Sequence, residues 1–261
     1  MIRNIGNNNE LIKTLIEYTN RSSIYACRIA CLLESYGTNY DFASFYLQLD
    51  DSGKATAAAA KYYSDITIMA SDFCDSDELA YFVEMNAPSS VLCPNGLASE
   101  LPERYRQQRY VVMKRCLSET GNSFPHTDTT GLTLRSDAPL KEIWELISSC
   151  KKDGLNAPAY EDFLLDASHK LRHGTATLAA LYSGGKCAGA AMTTAESRCC
   201  AVIGAVAVSD GFRRQGVGSA CVEALCGRLS EKGINDVYIL READRNEKFY
   251  CSLNFHTVPD P

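Results

Sequence analysis

Apolar positions along the chain follow helical spacing in some stretches and strand spacing in others, and the two halves run through nearly the same order. Leu11, Leu15 and Ile16 make one helical face, and Ile24, Cys27, Ile29, Ala30, Cys31 and Leu32 mark a second helix. Residues 45–49 run to a turn at Asp50, Asp51, Ser52, Gly53 and Lys54, and residues 55–60 leave it, which predicts a hairpin. A third strand follows at 65–69. Asp75, Ser76, Asp77 and Glu78 then open a helix that continues to Met85, with carboxylates at its positive end. Residues 91–93 and 110–113 are short strands.

After a strand at 132–134, the second half repeats this plan. Leu140, Ile143, Trp144 and Ile147 share one helical face, and a second helix spans 160–171. A strand at 177–182 reaches a turn at Ser183, Gly184, Gly185 and Lys186, and residues 187–192 leave it. The turn, its lysine and the small-residue strand match those at 52–59, and with the shared order of elements they point to an internal duplication. Residues 117–130 are polar and rich in turn formers, which is linker composition. The expected division is therefore a first domain at 1–116, a linker at 117–130 and a second domain at 131–261, each an α+β fold with a mixed sheet.

Composition narrows the classes. The chain has 261 residues, 46% hydrophobic and 22% charged, enough apolar surface for a real core. Its longest run of apolar and small residues, 199–208, is about half of a bilayer span, and residues 1–9 lack an export-type apolar stretch. A cytoplasmic protein without membrane contact is expected. Lys and Arg total 26 against 32 Asp and Glu, a net charge of −6, and the basic clusters at 104–109 and at Arg213 and Arg214 do not offset it. Nucleic acid is therefore not an expected partner. The 12 cysteines and 4 histidines show no paired spacing of the kind zinc favours, so no metal site is expected and the thiols read as small, reduced hydrophobes.

The stretch that carries chemistry is 201–220. A buried strand ends at Val208, a turn follows, and a helix begins near Gly216. Arg213, Gly216 and Gly218 are spaced so that unhindered N–H groups converge at a positive helix end, which suits a pyrophosphate. Placed between a strand and a helix, this segment resembles the acyl-CoA-binding motif of the GNAT superfamily of N-acetyltransferases, whose pattern is Arg/Gln-x-x-Gly-x-Gly/Ala. The resemblance covers about 131 to the end. It implies that Val206, Ala207 and Val208 present backbone groups to pantetheine. It further implies that Arg213, Arg214, Gln215, Gly216, Val217, Gly218 and Ser219 hold the pyrophosphate, with Ala220 permitting close packing. The cosubstrate implied is acetyl-CoA or another acyl-CoA.

Downstream, residues 246–255 resemble the family's Ala-x-x-Phe-Tyr-x-x-x-Gly-Phe segment, and Tyr250 falls on the tyrosine that lies beside the acyl-CoA sulfur. A phenol there can act as a general acid toward the departing thiolate. The chain departs from the family at Ala243, where Asn is frequent, at Asn246, where Ala is, and at Asn254, where Gly is. The closing strand pair is short, ending with Phe255, His256, Thr257 and Val258, so that side of the groove falls to the first domain or to another subunit, as in a homodimer. Glu196 is a weak candidate for a general base and reads more simply as a solvated turn residue.

In the first half, the segment equivalent to the phosphate loop is 70–77, with no glycine and with Asp72, Asp75 and Asp77. Carboxylates there repel a pyrophosphate, so this half reads as a GNAT-like fold without a cofactor site. The expected activity is transfer of an acetyl or acyl group to the amine of a small molecule or peptide. The alternative is a non-catalytic acyl-CoA-binding or protein-interaction module.

Overall fold

The structure is a computed structural model that describes residues 1–106, 110–118, 131–153, 155, 157–243 and 245–259. The expected linker lies outside the described residues from 119 onward, as do the last three positions of the 104–109 cluster. The chain forms two compact units, one of Met1–Val112 with the residues from Val258, the other of Met113–Thr257.

The first half contains β1 (Ile2–Asn4), α1 (Asn9–Thr19), α2 (Ile24–Tyr36), β2 (Ala43–Leu49), β3 (Ala55–Tyr62), β4 (Asp65–Ala70), α3 (Ser76–Asn86), β5 (Ser90–Leu92), α4 (Asn95–Ala98) and β6 (Tyr110–Cys116). The second contains β7 (Thr133–Arg135), α5 (Leu140–Ser149), α6 (Tyr160–His173), β8 (Leu178–Ser183), β9 (Lys186–Glu196), β10 (Cys200–Val208), α7 (Val217–Glu231), β11 (Asp236–Glu242), α8 (Glu247–Cys251) and β12 (His256–Thr257). Element for element the order is the same, including β1, a three-residue strand too short for its pattern to stand out in the sequence.

The sheets repeat as well. The first has the order β1-β2-β3-β4-β5, and the second contains the matching run β7-β8-β9-β10-β11. In each, one parallel pair stands at the corresponding place, β4 with β5 and β10 with β11. One strand breaks the symmetry. β6, the last strand of the first half by sequence order, lies in the second sheet between β11 and β12. Its apolar run reads the same whichever sheet receives it; its charged residues show the choice, Lys114 pairing with Asp236 at 2.8 Å and Arg115 with Glu223 at 2.8 Å. The closing strand β12 has two residues, and its antiparallel partner is β6.

In the first unit, Ala57, Ala59, Ile66 and Ile68 pack with Leu79 and Val83 of α3 and with Leu97 and Leu101. In the second, Ile143, Leu146 and Ile147 of α5 and Ala167 of α6 cover Leu178, Ala180, Ala190, Met192 and Ala207. Helix α7 covers the other face, since strand alternation turns Gly189 away from Ala190. A Cβ on Gly189 would stand 2.7 Å from Val217 Cγ1 and 3.3 Å from Cys221 Sγ, so glycine there lets α7 lie directly on β9. Among the described residues, no helix is long and apolar enough to cross a membrane.

Candidate active site

The site begins where two parallel strands part. β10 pairs with β11 from Cys200 to Ile203 only, while its ladder with β9 continues to Val208. The register with β9 shifts on both sides of Ile203, and such bulges bend a strand and increase its twist. Past the bulge, the Ser209 N–H donates to Ala188 O at 3.0 Å. Antiparallel alternation then points the N–H groups of Val206 and Val208 away from β9, toward the side β11 has left. Two strand-end amides thus face a gap between strands. Glycine inside the run 201–208 is the sequence signal for this bulge.

The loop after β10 ends in a helix start with no acceptor of its own. Gly216 is the N-cap of α7 with φ 81°, a left-handed conformation that favours glycine, and it makes no side-chain cap. No acidic residue stands in the first turn of α7, so its orphan N–H groups and positive end remain available to an anion. Arg214 is exposed and also left-handed, with φ 60°. Arg213 is anchored, its Nε 2.9 Å from Asp210 Oδ1 and its Nη2 3.8 Å from the Cys150 thiol. The Gln215 amide closes the turn by donating to Gly211 O at 2.9 Å. Val217 is buried against Gly189, and Ala220 is buried in the core, so each offers only backbone.

Gly218 also serves the packing beneath the loop. It has no positive φ, and a Cβ there would point not at the loop opening but to Val208 Cγ2 at 3.3 Å and the Phe249 ring at 3.6 Å. Val208, Gly218 and Phe249 therefore meet, and the end of β10, the start of α7 and helix α8 come together. Ser219 is half-buried beside them. Next to Phe249 stands Tyr250, its ring 5.0 Å from Phe249 and 5.7 Å from Phe255, both edge-on. Burial alone pushes its phenol up to about 12. Arg241, itself buried, fixes the approach to α8: it donates to the carbonyls of Glu242 and Ala243 and pairs with Glu247 at 3.4 Å. The guanidinium thus gathers the backbone where the family's Asn is absent.

Glu196 is not the solvated residue expected. It is 3% exposed, accepts from Thr193 Oγ1 at 2.6 Å and pairs with Lys232 at 2.7 Å. It also pairs in register with Ala201, at the opposite end of β10 from Val208, which removes it from the site. The twelve cysteines are thiols not joined in disulfides; six are buried and Cys251 alone is exposed. Among the described residues, no group of three or more His, Cys, Asp or Glu could hold a metal ion.

The first half answers the same geometry with its own side chains. β4 pairs with β5 from Asp65 to Thr67 only, yet β3 and β4 run without a register shift. At the start of α3, the Asp75 carboxylate caps Glu78 N–H at 3.0 Å, and Asp77 and Glu78 stand in the first turn. The Gln48 amide locks this arrangement, donating to Asp75 O and Glu78 Oε2, each at 2.9 Å.

Residues 140–255 match the model of the acetyltransferase (GNAT) family. Among curated proteins, none matches the chain. Solved structures do. A tandem GNAT protein from the clavulanic acid biosynthesis pathway is similar over 98% of this chain and 95% of its own, with TM-score 0.62 and 12% identity. A GCN5-related N-acetyltransferase from Kribbella flavida is similar over 90% of each chain, with TM-score 0.59 and 14% identity. One from Sphaerobacter thermophilus gives 91% of each chain, TM-score 0.56 and 18% identity. The fold is that of tandem GNAT proteins, and residues 140–255 are a domain of the acetyltransferase (GNAT) family.

Proposed function

We propose that the chain is an acyl-CoA-dependent N-acetyltransferase whose second half holds acetyl-CoA and transfers its acetyl group directly to an amine. The observation that carries the reading is the contrast between two equivalent helix starts. The start of α7 lacks a side-chain cap and carries no acid in its first turn, whereas that of α3 is filled by Asp75, Asp77 and Glu78. The residues fit the cosubstrate. Backbone at Val206 and Val208 suits the amides of pantetheine, whereas Ala207 turns its backbone groups to β9, and the amides of residues 214–219 with the Arg214 charge suit a pyrophosphate. The first half, on this reading, has the fold without the cofactor site.

The chemistry follows from these groups. The amine nitrogen attacks the thioester carbonyl, and an outward amide at the end of β10 takes the developing oxyanion. The C–S bond then breaks and the sulfur leaves as thiolate. With a pKa near 12, above an ordinary thiol at about 8.5, the Tyr250 phenol stays protonated and donates a hydrogen bond to that sulfur. The proton released by the amine passes through water to the phenol as the phenol yields its own to the thiolate, so the net products are amide and thiol. Cytoplasmic location and a small-molecule or peptide amine as acceptor complete the proposal; a net charge of −6 supports a cationic one.

Release of free thiol from acetyl-CoA, measured over a panel of primary amines, tests the reading. Amine-dependent release supports it. Binding of acetyl-CoA without release for any amine would favour a non-catalytic module.

A further inference from the structure

The two residues at the apex of the parting strands interlock. In register with β9, Val202 faces Ala195 and Ile203 faces Thr193, which leaves Thr194 as an extra residue. The next pair, Ala205 with Met192, leaves Gly204 as an extra residue in β10. Each strand thus carries one unpaired residue, and beyond them the register is restored. A Cβ on Gly204 would stand 1.9 Å from Thr194 Cγ2 and 2.7 Å from its Oγ1, so the Thr194 side chain lies in the space that only glycine leaves open.

The backbone of Thr194 is fixed, and its hydroxyl is not. Its carbonyl accepts from the buried Lys170 ammonium at 3.1 Å, and Asp166 holds that ammonium at 3.0 Å. The Thr194 side chain is exposed, and among the described residues its hydroxyl has no protein partner. On either side along β9, residues 190–193 and 195–196 are buried. That hydroxyl therefore stands in a buried strand between the Ala195–Val202 and Thr193–Ile203 pairs and against Gly204, the residue of β10 just past Ile203, its last pairing with β11.

Resting on the proposed transfer reaction, we propose that Thr194 is a specificity-determining residue whose hydroxyl hydrogen-bonds the acceptor beside its reactive amine. The acceptor class is a primary amine with a polar group next to the reacting nitrogen, where the hydroxyl can donate or accept. Gly204 keeps the space in which that hydroxyl sits.

The test compares wild type, Thr194→Val and Thr194→Ser by thiol release from acetyl-CoA with spermidine, glucosamine and a lysine-containing peptide. Acetyl-CoA binding by calorimetry and the thermal midpoint are measured alongside. For the amine used best, Thr194→Val lowers kcat/KM by about two- to tenfold, the size of one lost hydrogen bond. Acetyl-CoA affinity is unchanged, and Thr194→Ser keeps the wild-type value. If the valine variant fails to fold, Thr194→Ala takes its place. Unchanged amine kcat/KM without the hydroxyl, or an equal loss of acetyl-CoA affinity, overturns the assignment while leaving the transfer reaction standing. A wild type that turns over no amine overturns both.

Discussion

Arg115 Nη1 lies 2.8 Å from Glu223 Oε1, with the two side chains 2% and 6% exposed, and this buried pair joins β6 to α7. The Arg115 Nε and the Glu223 Oε2 are buried without partners, so the pair rests on one bond. Removing one member strands the other as a buried charge. Glu223→Gln or Arg115→Met should each destabilise the protein by about 3–5 kcal/mol, whereas the double change Arg115→Met/Glu223→Leu recovers most of that loss. Urea unfolding of the three variants checks it. Equal stability of Glu223→Gln and wild type would contradict it.

The glycines of the phosphate loop should fail in different ways. Gly216→Ala forces a Cβ into a left-handed residue, at a cost of about 1–2 kcal/mol, and weakens acetyl-CoA binding by moving the first-turn amides. Gly218→Val instead pushes on Val208 and Phe249, disturbing the end of β10 and α8 together. It should lower kcat as well as affinity, because Tyr250 follows Phe249 in α8. Calorimetry and steady-state rates on both variants separate the two effects.

Much of this was legible in the sequence because it is local. Runs such as 201–208 and the α7 face declare themselves by periodicity, and Arg213, Gly216 and Gly218 declare the loop by spacing. What was not legible depends on distant partners. The destination of β6 is decided by Glu223 and Asp236, more than a hundred residues downstream of Arg115 and Lys114. Glu196 read as a solvated turn because its partner, Lys232, arrives from the end of α7. The direction of a Cβ at Gly218 is likewise set by the packing of α8, which spacing does not encode.

Tyr250→Phe should lower turnover at least about tenfold, the lower range for general-acid effects, with acetyl-CoA affinity nearly unchanged. The pH dependence has a defined sign. Burial raises the folded-state pKa to about 12, above the ordinary 10.0, so the neutral phenol is favoured by folding. Its stability contribution is complete below pH 10 and is lost as pH rises toward 12. Turnover should accordingly show no alkaline limb from this group between pH 8 and about 10. A phenol titrating near 10, read as the ultraviolet difference between wild type and Tyr250→Phe, would contradict the burial.

Calorimetric titration of the full chain with acetyl-CoA tests the central claim most directly. One mole should bind per mole of chain, with affinity unchanged in Asp75→Ala at the start of α3 and strongly reduced in Gly216→Val at the start of α7. The α3 variant should lose only its helix cap, about 1 kcal/mol of stability. Two moles bound per chain, no binding at all, or full affinity in Gly216→Val would contradict it.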